Sequence, residues 1–353
     1  MGVNPEWWLG RRVLVTGHTG FKGAWLSLWL ARLGAEVSGL ALAPEDPMGA
    51  FTELGALPGP DGAPIDLRDG VAVARRVAET DPQVIFHLGA QALVRRAYAD
   101  PIGTWDVNVV GTANLLQAAR SAPSLQAVLV VTSDKVYANA GDSHPFTEDD
   151  RLGGGDPYSA SKAGTELVVA SWRHSFFRNT TAGLATARAG NVIGGGDRAE
   201  DRLLADVWRA LEADEPVLLR YPRSTRPWQF ILEPLLGYLL MAERLAGSDL
   251  NPEALNFGPD PAGCAPVAEV VGRVFELWGG GHWEQVEGVH PPEAATLRLD
   301  SGLASTTLGW RPRLDLDTAL AWTVEWWRSR AAGDDLHKLA LRQIDDYSRL
   351  ASR

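Results

Sequence analysis

Residues 11–33 read RRVLVTGHTGFKGAWLSLWLARL, and the architecture of the whole chain follows from them. The apolar run Val13–Val15 ends at a turn with glycines at 17, 20 and 23, and apolar residues with helical spacing continue from Ala24. Glycines at this spacing, between a strand and a helix, allow a tight turn, a close approach of backbone to a pyrophosphate and close packing of the helix on the sheet. The stretch therefore predicts a dinucleotide-binding domain, with the free N–H groups of the helix facing phosphate.

Strand and helix patterns alternate along the first half of the chain. Strands are predicted at 36–42, 65–67, 84–90, 127–132 and 180–188, loops at 44–64 and 138–156, and helices at 68–80, 101–121, 157–178, 235–245 and 267–278. Such alternation predicts an α/β fold with a doubly wound parallel sheet and right-handed crossovers. Ligands of these sheets lie beyond the carboxyl ends of the strands.

The composition limits the classes of function. The chain has 353 residues, a formal net charge of -11 and a single cysteine, Cys264. An acidic chain does not offer the clustered basic surface that nucleic acid needs, and one cysteine excludes an internal disulfide or a thiolate-rich zinc site. No stretch is apolar for the length of a membrane span, and the N-terminus does not resemble a signal peptide. We therefore expect a cytoplasmic protein with no metal site, no nucleic-acid partner and no membrane partner.

The ends of predicted strands supply candidate cofactor contacts. Residues 89–91, Gly-Ala-Gln, lie at the end of the largely apolar strand predicted at 84–90 and are expected beside the cofactor. Asp66 ends the strand predicted at 65–67, where it could meet an adenine amino group or could cap the following helix. Glu45 and Asp46 come slightly later than the acidic residue that usually binds the adenosine ribose, and no arginine lies nearby in sequence for a 2′-phosphate. The pattern therefore favours NAD over NADP.

Two groups of reactive side chains follow the first half of the chain. Ser133-Asp134-Lys135 lies at the end of the strand predicted at 127–132. Tyr158 and Lys162 are four residues apart in a predicted helix and therefore share one face. A tyrosine is a poor base near neutral pH, but a neighbouring ammonium stabilises its phenolate. The combination predicts acid–base chemistry beside a nicotinamide cofactor.

These motifs together resemble the extended short-chain dehydrogenase/reductase family. The matching segments are Thr16–Gly23, Ser133–Lys135, Tyr158-x-x-x-Lys162, Ala189–Asp197 and Arg226–Gln229. Within the family the chain is most similar to nucleotide-sugar 4,6-dehydratases, and the resemblance implies CDP-glucose as the substrate. It also implies a Rossmann domain at 1–188, to which a segment at about 229–257 returns, and a smaller, mainly C-terminal substrate-binding domain formed by 189–228 and 258–353.

The resemblance implies which residues contact the cofactor and the substrate. The implied NAD contacts are Gly17, Thr19, Gly20, Phe21, Lys22, Gly23, Asp66, Leu67, Leu88, Gly89, Ala90, Gln91, Tyr158 and Lys162. The implied substrate contacts are Asn191, Arg202, Arg226 and Arg298. Arginine suits a diphosphate because its planar guanidinium can donate two parallel hydrogen bonds. Trp228 is expected to pack in the core in preference to stacking on the nucleotide base.

The resemblance also implies a reaction in which tightly bound NAD is recycled. Tyr158 would take the O4 proton of the sugar while C4 hydride passes to NAD, with Lys162 beside the phenolate and Ser133 holding the same oxygen. Water is then lost across C5 and C6, with Asp134 protonating the C6 hydroxyl, and the hydride returns to C6. Lys135 stands where dTDP-glucose relatives carry a glutamate base. Two roles stay open for it: removal of the C5 proton, which requires a lowered pKa, or stabilisation of the enolate.

Other functions fit parts of the same pattern. A dehydratase for UDP-N-acetylglucosamine or another nucleotide hexose also carries an Asp-Lys pair, whereas a nucleotide-sugar 4-epimerase needs no acid and base beyond the hydride machinery. A non-catalytic nucleotide sensor would commonly lack the tyrosine. Which nucleotide base is read is not visible in the sequence. Relatives pair through the helices predicted at 101–121 and 157–178, so the resemblance implies a homodimer.

Overall fold

The computed structural model describes residues 2–46, 48–55, 64–139, 141, 144–247, 252–286, 288 and 297–350, so parts of the loops predicted at 44–64 and 138–156 lie outside the described residues. The strands are β1 (Arg12–Thr16), β2 (Glu36–Leu40), β3 (Val84–His87), β4 (Ala127–Val131), β5 (Gly183–Ala189), β6 (Asn191–Ile193), β7 (Val217–Leu219), β8 (Thr225–Phe230), β9 (Ala254–Phe257), β10 (Cys264–Pro266) and β11 (Trp283–Gln285). The α-helices are α1 (Pro5–Trp8), α2 (Phe21–Arg32), α3 (Ala50–Leu54), α4 (Gly70–Thr80), α5 (Val94–Ala99), α6 (Pro101–Trp105), α7 (Gly111–Ala119), α8 (Pro157–Trp172), α9 (Leu203–Ala213), α10 (Leu232–Ala246), α11 (Val267–Trp278), α12 (Gly302–Leu308), α13 (Leu316–Ala332) and α14 (Leu336–Leu350). Within these ranges, no helix combines the length and the apolar character that crossing a membrane requires.

A parallel six-stranded sheet forms the centre of the described chain, in the order β2-β1-β3-β4-β5-β9. Each neighbouring pair in this sheet is parallel. The strands β3 and β4 are buried along their whole length, as expected where helices cover both faces of a sheet. The chain starts inside the sheet, moves to one edge and then crosses to the other side. The predicted doubly wound α/β fold is therefore confirmed.

Helix α2 follows the glycine turn and is buried all round from Gly23 to Leu30. A helix that lies on a sheet usually keeps one polar face, but here α10 and α14 also pack against α2. Trp29 of α2 packs edge-on against Tyr347 of α14, and the Tyr347 hydroxyl donates to Glu233 of α10 at 2.5 Å. The C-terminal helix therefore fixes the helix that begins at the glycine turn.

A second group of strands lies outside the central sheet. It comprises the three-stranded sheet β10-β8-β6 and the pair β11-β7. Gly190 alone separates β5 from β6, so this group begins at the carboxyl end of a central strand. Helix α13 packs on α11, β6 and β8. The later strand β9 pairs with β5 in the central sheet.

Some local predictions are wrong. Residues 65–67 form no strand; Ile65 donates to the Ala41 carbonyl just beyond the end of β2, and the chain then turns into α4. The described part of the loop predicted at 44–64 contains the short helix α3. The helix predicted at 101–121 is divided, because a π-helical turn, Asp106–Val110, separates α6 from α7.

Candidate active site

The glycine turn between β1 and α2 packs closely against the end of β3. Gly17 has a φ of +70°, and a Cβ at this position would lie 2.7 Å from the N atom of Gly89. A Cβ on Gly23 would lie 2.2 Å from the Gly17 carbonyl oxygen. Gly20 precedes α2 and provides no side-chain cap, so the first N–H groups of α2 are available to a phosphate. The turn thus fits the pyrophosphate of a dinucleotide.

A buried hydrogen-bond chain fixes the segment 88–91 beside this turn. The Thr16 hydroxyl oxygen lies 2.6 Å from Nδ1 of His87 and accepts from the Gly89 N–H at 3.0 Å. The other ring nitrogen of His87 lies 2.9 Å from the Thr112 hydroxyl. Burial lowers the pKa of His87 to about 3, so the ring is neutral and links β1 and β3 to α7.

Asp66 does not cap helix α4. Its carboxylate accepts from the Arg68 N–H at 2.9 Å and pairs with the Arg68 guanidinium at 2.6 Å. The cap is Asp69, which accepts from the N–H groups of Val71 and Ala72. Of the two roles left open for Asp66, helix capping is wrong, and the adenine contact remains a prediction.

Tyr158 and Lys162 lie in α8 and approach the carboxyl end of β4. The side chain of Ser133 lies beside the Tyr158 phenol and lowers its pKa. The Lys162 ammonium donates to the carbonyl oxygen of Val131, the last residue of β4, at 3.3 Å. Tyr158, Lys162 and Ser133 are all buried. The structure therefore brings together the phenol, the amine and the hydroxyl that the sequence predicts at one site.

The charges around this pair act in opposite directions. Burial raises the pKa of Tyr158, while the Arg202 guanidinium and the Ser133 side chain lower it. Burial lowers the pKa of Lys162 to about 8, while the carboxylate of Glu166 raises it. A protonated Lys162 favours the phenolate, which is the basic form of Tyr158.

Asp134 is a buried carboxyl with one oxygen free to act. The Ser133 hydroxyl donates to Oδ1 at 3.0 Å, whereas Oδ2 has no hydrogen-bond partner among the described residues. A Cβ on Gly190 would lie 2.6 Å from Oδ2, so glycine provides the space that this oxygen occupies. Burial raises the pKa of Asp134, although Lys135 and Arg226 among others lower it. A carboxyl that favours its protonated form can serve as a general acid.

The basic residues Arg202, Arg226 and Lys22 surround the same groups. Arg202 precedes α9 and lowers the pKa of Tyr158, and Arg226 lowers that of Asp134. Burial, followed by the charge of Arg202, lowers the pKa of Lys22 to about 7. Positive charge is therefore gathered locally in an acidic protein, as an anionic substrate requires.

The other predicted substrate contacts are Asn191 and Arg298. Asn191 begins β6 and is paired with Trp228 of β8. Trp228 is buried and its indole N–H donates to the Ala265 carbonyl at 3.1 Å, which agrees with a packing role. Arg298 lies near the Cys264 thiol, whose pKa burial raises and Arg298 lowers. Substrate contacts of Asn191 and Arg298 remain predictions.

Asn108 is not among the site residues predicted from the sequence, and it lies in the π-helical turn Asp106–Val110. Its side chain accepts from the Gln91 N–H at 2.8 Å and donates to the Gln91 carbonyl at 3.1 Å and to the Ser161 hydroxyl at 2.8 Å. Asn108 thus joins the cofactor-side segment to the helix of Tyr158. A polar residue within an apolar helix pattern is the available signal, but nothing in the pattern indicates the π turn that directs it.

Known proteins are similar to this chain in sequence and in fold. Residues 14–249 match the family model described as GDP-mannose 4,6 dehydratase. The chain is 42% identical, over 99% of its length, to CDP-glucose 4,6-dehydratase of Salmonella typhimurium, and the match covers 100% of that protein.

Solved structures of known proteins have a fold similar to that of this chain. The dTDP-glucose 4,6-dehydratase of Streptomyces venezuelae, solved with NAD bound, is 26% identical with a TM-score of 0.76, and the match covers 92% of this chain and 98% of that chain. The UDP-glucose 4-epimerase of Thermotoga maritima reaches a TM-score of 0.78 at 20% identity, over 90% of this chain and 99% of that chain, and shows the fold alone.

Proposed function

Because this chain belongs to the GDP-mannose 4,6 dehydratase family, we propose that it is a cytoplasmic CDP-glucose 4,6-dehydratase, which converts CDP-glucose to CDP-4-dehydro-6-deoxyglucose and water. The observation that carries the proposal is the 42% identity along the whole length of a CDP-glucose 4,6-dehydratase. The site supports it, since a candidate base, Tyr158, and a candidate acid, Asp134, both lie beside Ser133. A dehydratase needs an acid for the leaving hydroxyl, whereas a 4-epimerase does not.

The roles of the residues follow from their contacts. The glycine turn and the segment 88–91 would hold NAD, which when bound supplies the oxidant for C4 and is regenerated at C6, so the protein need not exchange it. Lys162 stabilises the phenolate of Tyr158, which takes the proton from the sugar O4. Ser133, whose side chain lies beside Tyr158, holds the same oxygen. Asp134 gives its proton to the C6 hydroxyl, so that water leaves as the C5 proton is removed.

The variant Lys135→Ala tests whether Lys135 removes the C5 proton. Lys135 is half-buried beside Asp134, whose pKa its charge lowers. We expect C4 oxidation to remain detectable by the absorbance of reduced nicotinamide, while elimination slows about a hundredfold. The measurement is exchange of the C5 proton with deuterated solvent, followed by NMR. Unchanged C5 exchange would show that Lys135 is not the base that removes the C5 proton. Lys338→Ala is the control, since Lys338 is an exposed lysine of α14.

The substrate class is tested with a panel of CDP-, dTDP-, UDP- and GDP-linked hexoses. A ligand that binds the folded state raises the melting temperature, with about 2.7 kcal/mol of stabilisation at a hundred times its dissociation constant. We expect CDP-glucose to give the largest rise and a 4-keto product that absorbs in alkali. A keto product from another nucleotide sugar would identify that sugar as the substrate. A 4-epimer formed without a keto sugar would identify the protein as an epimerase.

We also propose a homodimer formed through α6, α7 and α8. Helices α6 and α8 pack together and expose large apolar side chains: Ile102 is 72% exposed, Leu167 64% and Trp105 41%. Several such side chains on neighbouring helices are typical of a surface that another chain covers.

The double variant Ile102→Glu, Leu167→Glu is expected to be monomeric, because it would place charge in that interface. Light scattering after size-exclusion chromatography measures the mass. Val71→Glu is the matched control, since Val71 of α4 is 82% exposed and lies outside these helices. A wild-type protein that is already monomeric at micromolar concentration would refute the proposed dimer.

A further inference from the structure

Behind the catalytic groups, the carboxylate of Glu166 is held by buried donors from β5 and from Thr132, which directly follows β4. The Thr132 hydroxyl donates to Oε1 at 2.5 Å, and the Thr186 hydroxyl donates to Oε2 at 2.8 Å. The Arg188 guanidinium donates to Oε1 at 3.0 Å and to Oε2 at 2.8 Å. All four residues are at most 5% exposed. The carboxylate is therefore immobilised and fully paired.

The position of Thr132 connects this carboxylate to the reaction. Thr132 follows Val131, whose carbonyl accepts from Lys162, and precedes Ser133, whose side chain lies beside Tyr158 and lowers its pKa. Helix geometry gives a second connection, because positions 158, 162 and 166 are each one turn apart in α8. The backbone of 131–133 thus joins α8 at two places, once through Lys162 and once through the hydroxyl of Thr132.

We propose that Glu166, itself fixed by Arg188, is a positioning residue for the catalytic groups. Through the Thr132 hydroxyl it holds the backbone of 131–133 at one distance from α8. That distance sets where the Ser133 hydroxyl and the Lys162 ammonium meet Tyr158. This inference deepens the proposed function. It depends on that function only in the kinetic tests, because these measure dehydration of the substrate.

Stability alone does not account for this arrangement. A buried ion pair repays the loss of hydration only when its geometry is excellent, and apolar residues of similar volume often stabilise a core as well. Arg188 also makes hydrogen bonds outside the pair, since it donates to the Tyr137 hydroxyl at 2.8 Å and to the Glu148 carbonyl at 3.2 Å. The titratable or charged groups beside the Glu166–Arg188 pair are Tyr137 and Glu148, and those beside Lys162 are Glu166, His87 and Lys22.

The test compares Thr132→Val with Thr186→Val in the full-length enzyme with NAD. Each removes one buried hydroxyl donor to Glu166, and in each the carboxylate keeps both donors of Arg188, so both variants should fold with similar melting temperatures. Only Thr132 adjoins Ser133. We expect Thr132→Val to lower kcat on the order of a hundredfold with little change in KM, because a misplacement of about 1 Å has effects of this size. Thr186→Val should keep a kcat close to the wild-type value.

Two further measurements separate positioning from a structural role. Thr132→Ser restores the hydroxyl and should restore kcat. Titration of the Tyr158 phenolate by ultraviolet absorbance, as the difference from Tyr158→Phe with NAD present, should show a higher midpoint in Thr132→Val than in wild type or Thr186→Val.

Equal kcat and equal phenolate midpoints in the two valine variants would overturn the positioning role. A kcat loss in Thr132→Val that serine does not restore would overturn it as well. A wild-type enzyme that dehydrates no nucleotide hexose would instead refute the proposed function, and the phenolate titration would still decide the role of Glu166.

Discussion

Tyr158→Phe is expected to lower kcat for dehydration by about a thousandfold, because it removes the hydroxyl that takes the O4 proton. The ring stays in place, since Tyr158 is buried and phenylalanine keeps its shape. Within the protein, the substitution removes only the hydroxyl beside the Ser133 side chain. The melting temperature and the NAD content of the purified enzyme should therefore remain close to the wild-type values, while single-turnover C4 oxidation becomes very slow.

The pH profile gives this prediction a second readout. Burial raises the pKa of Tyr158 and the phenolate is the basic form, so kcat/KM of the wild type should rise with pH until the phenol is deprotonated. The residual activity of Tyr158→Phe should lack that rise. Tyr98→Phe serves as the control, because Tyr98 of α5 is 44% exposed. A Tyr158→Phe enzyme with the rate and pH profile of the wild type would contradict the assignment.

The parts of the site that the sequence predicts are those that local geometry determines. Tyr158 and Lys162 share a face because a helix repeats every 3.6 residues, and Ser133 lies nearby because the carboxyl ends of parallel strands form the ligand side of the sheet. The glycine turn is also determined by local geometry, because Gly17 and Gly23 have no room for a Cβ.

The parts that the sequence does not predict depend on contacts between distant elements. Glu166 and Arg188 are 22 residues apart and read separately as a helix residue and a strand residue, yet they form one buried pair. Asp66 reads equally well as a cap or as a cofactor contact until Asp69 is seen to hold the helix. The strand predicted at 65–67 fails because an apolar-polar-apolar triplet is too short a pattern to distinguish a strand from coil.

Asp134→Asn is expected to stop the reaction after C4 oxidation. The amide has nearly the shape of the carboxyl but cannot supply the proton that the C6 hydroxyl needs to leave, so elimination should slow by about a hundred- to ten-thousandfold. Burial already raises the pKa of Asp134, so this carboxyl is protonated more easily than an exposed aspartate. With CDP-glucose present, the absorbance of reduced nicotinamide should rise and stay high, and the 4-keto-6-deoxy product should be absent.

Gly190→Ala probes the same carboxyl without changing it. A Cβ at 190 would lie 2.6 Å from Oδ2 of Asp134 and 3.3 Å from Cγ of Pro227, so the carboxyl must move away from the position that glycine provides. The variant should therefore accumulate reduced nicotinamide as Asp134→Asn does, with a smaller loss of product. Gly155→Ala is the control, because a Cβ there meets nothing within 4 Å. If Asp134→Asn forms product at the wild-type rate, another group protonates the C6 hydroxyl, and the space beside Gly190 then serves only to pack the carboxyl.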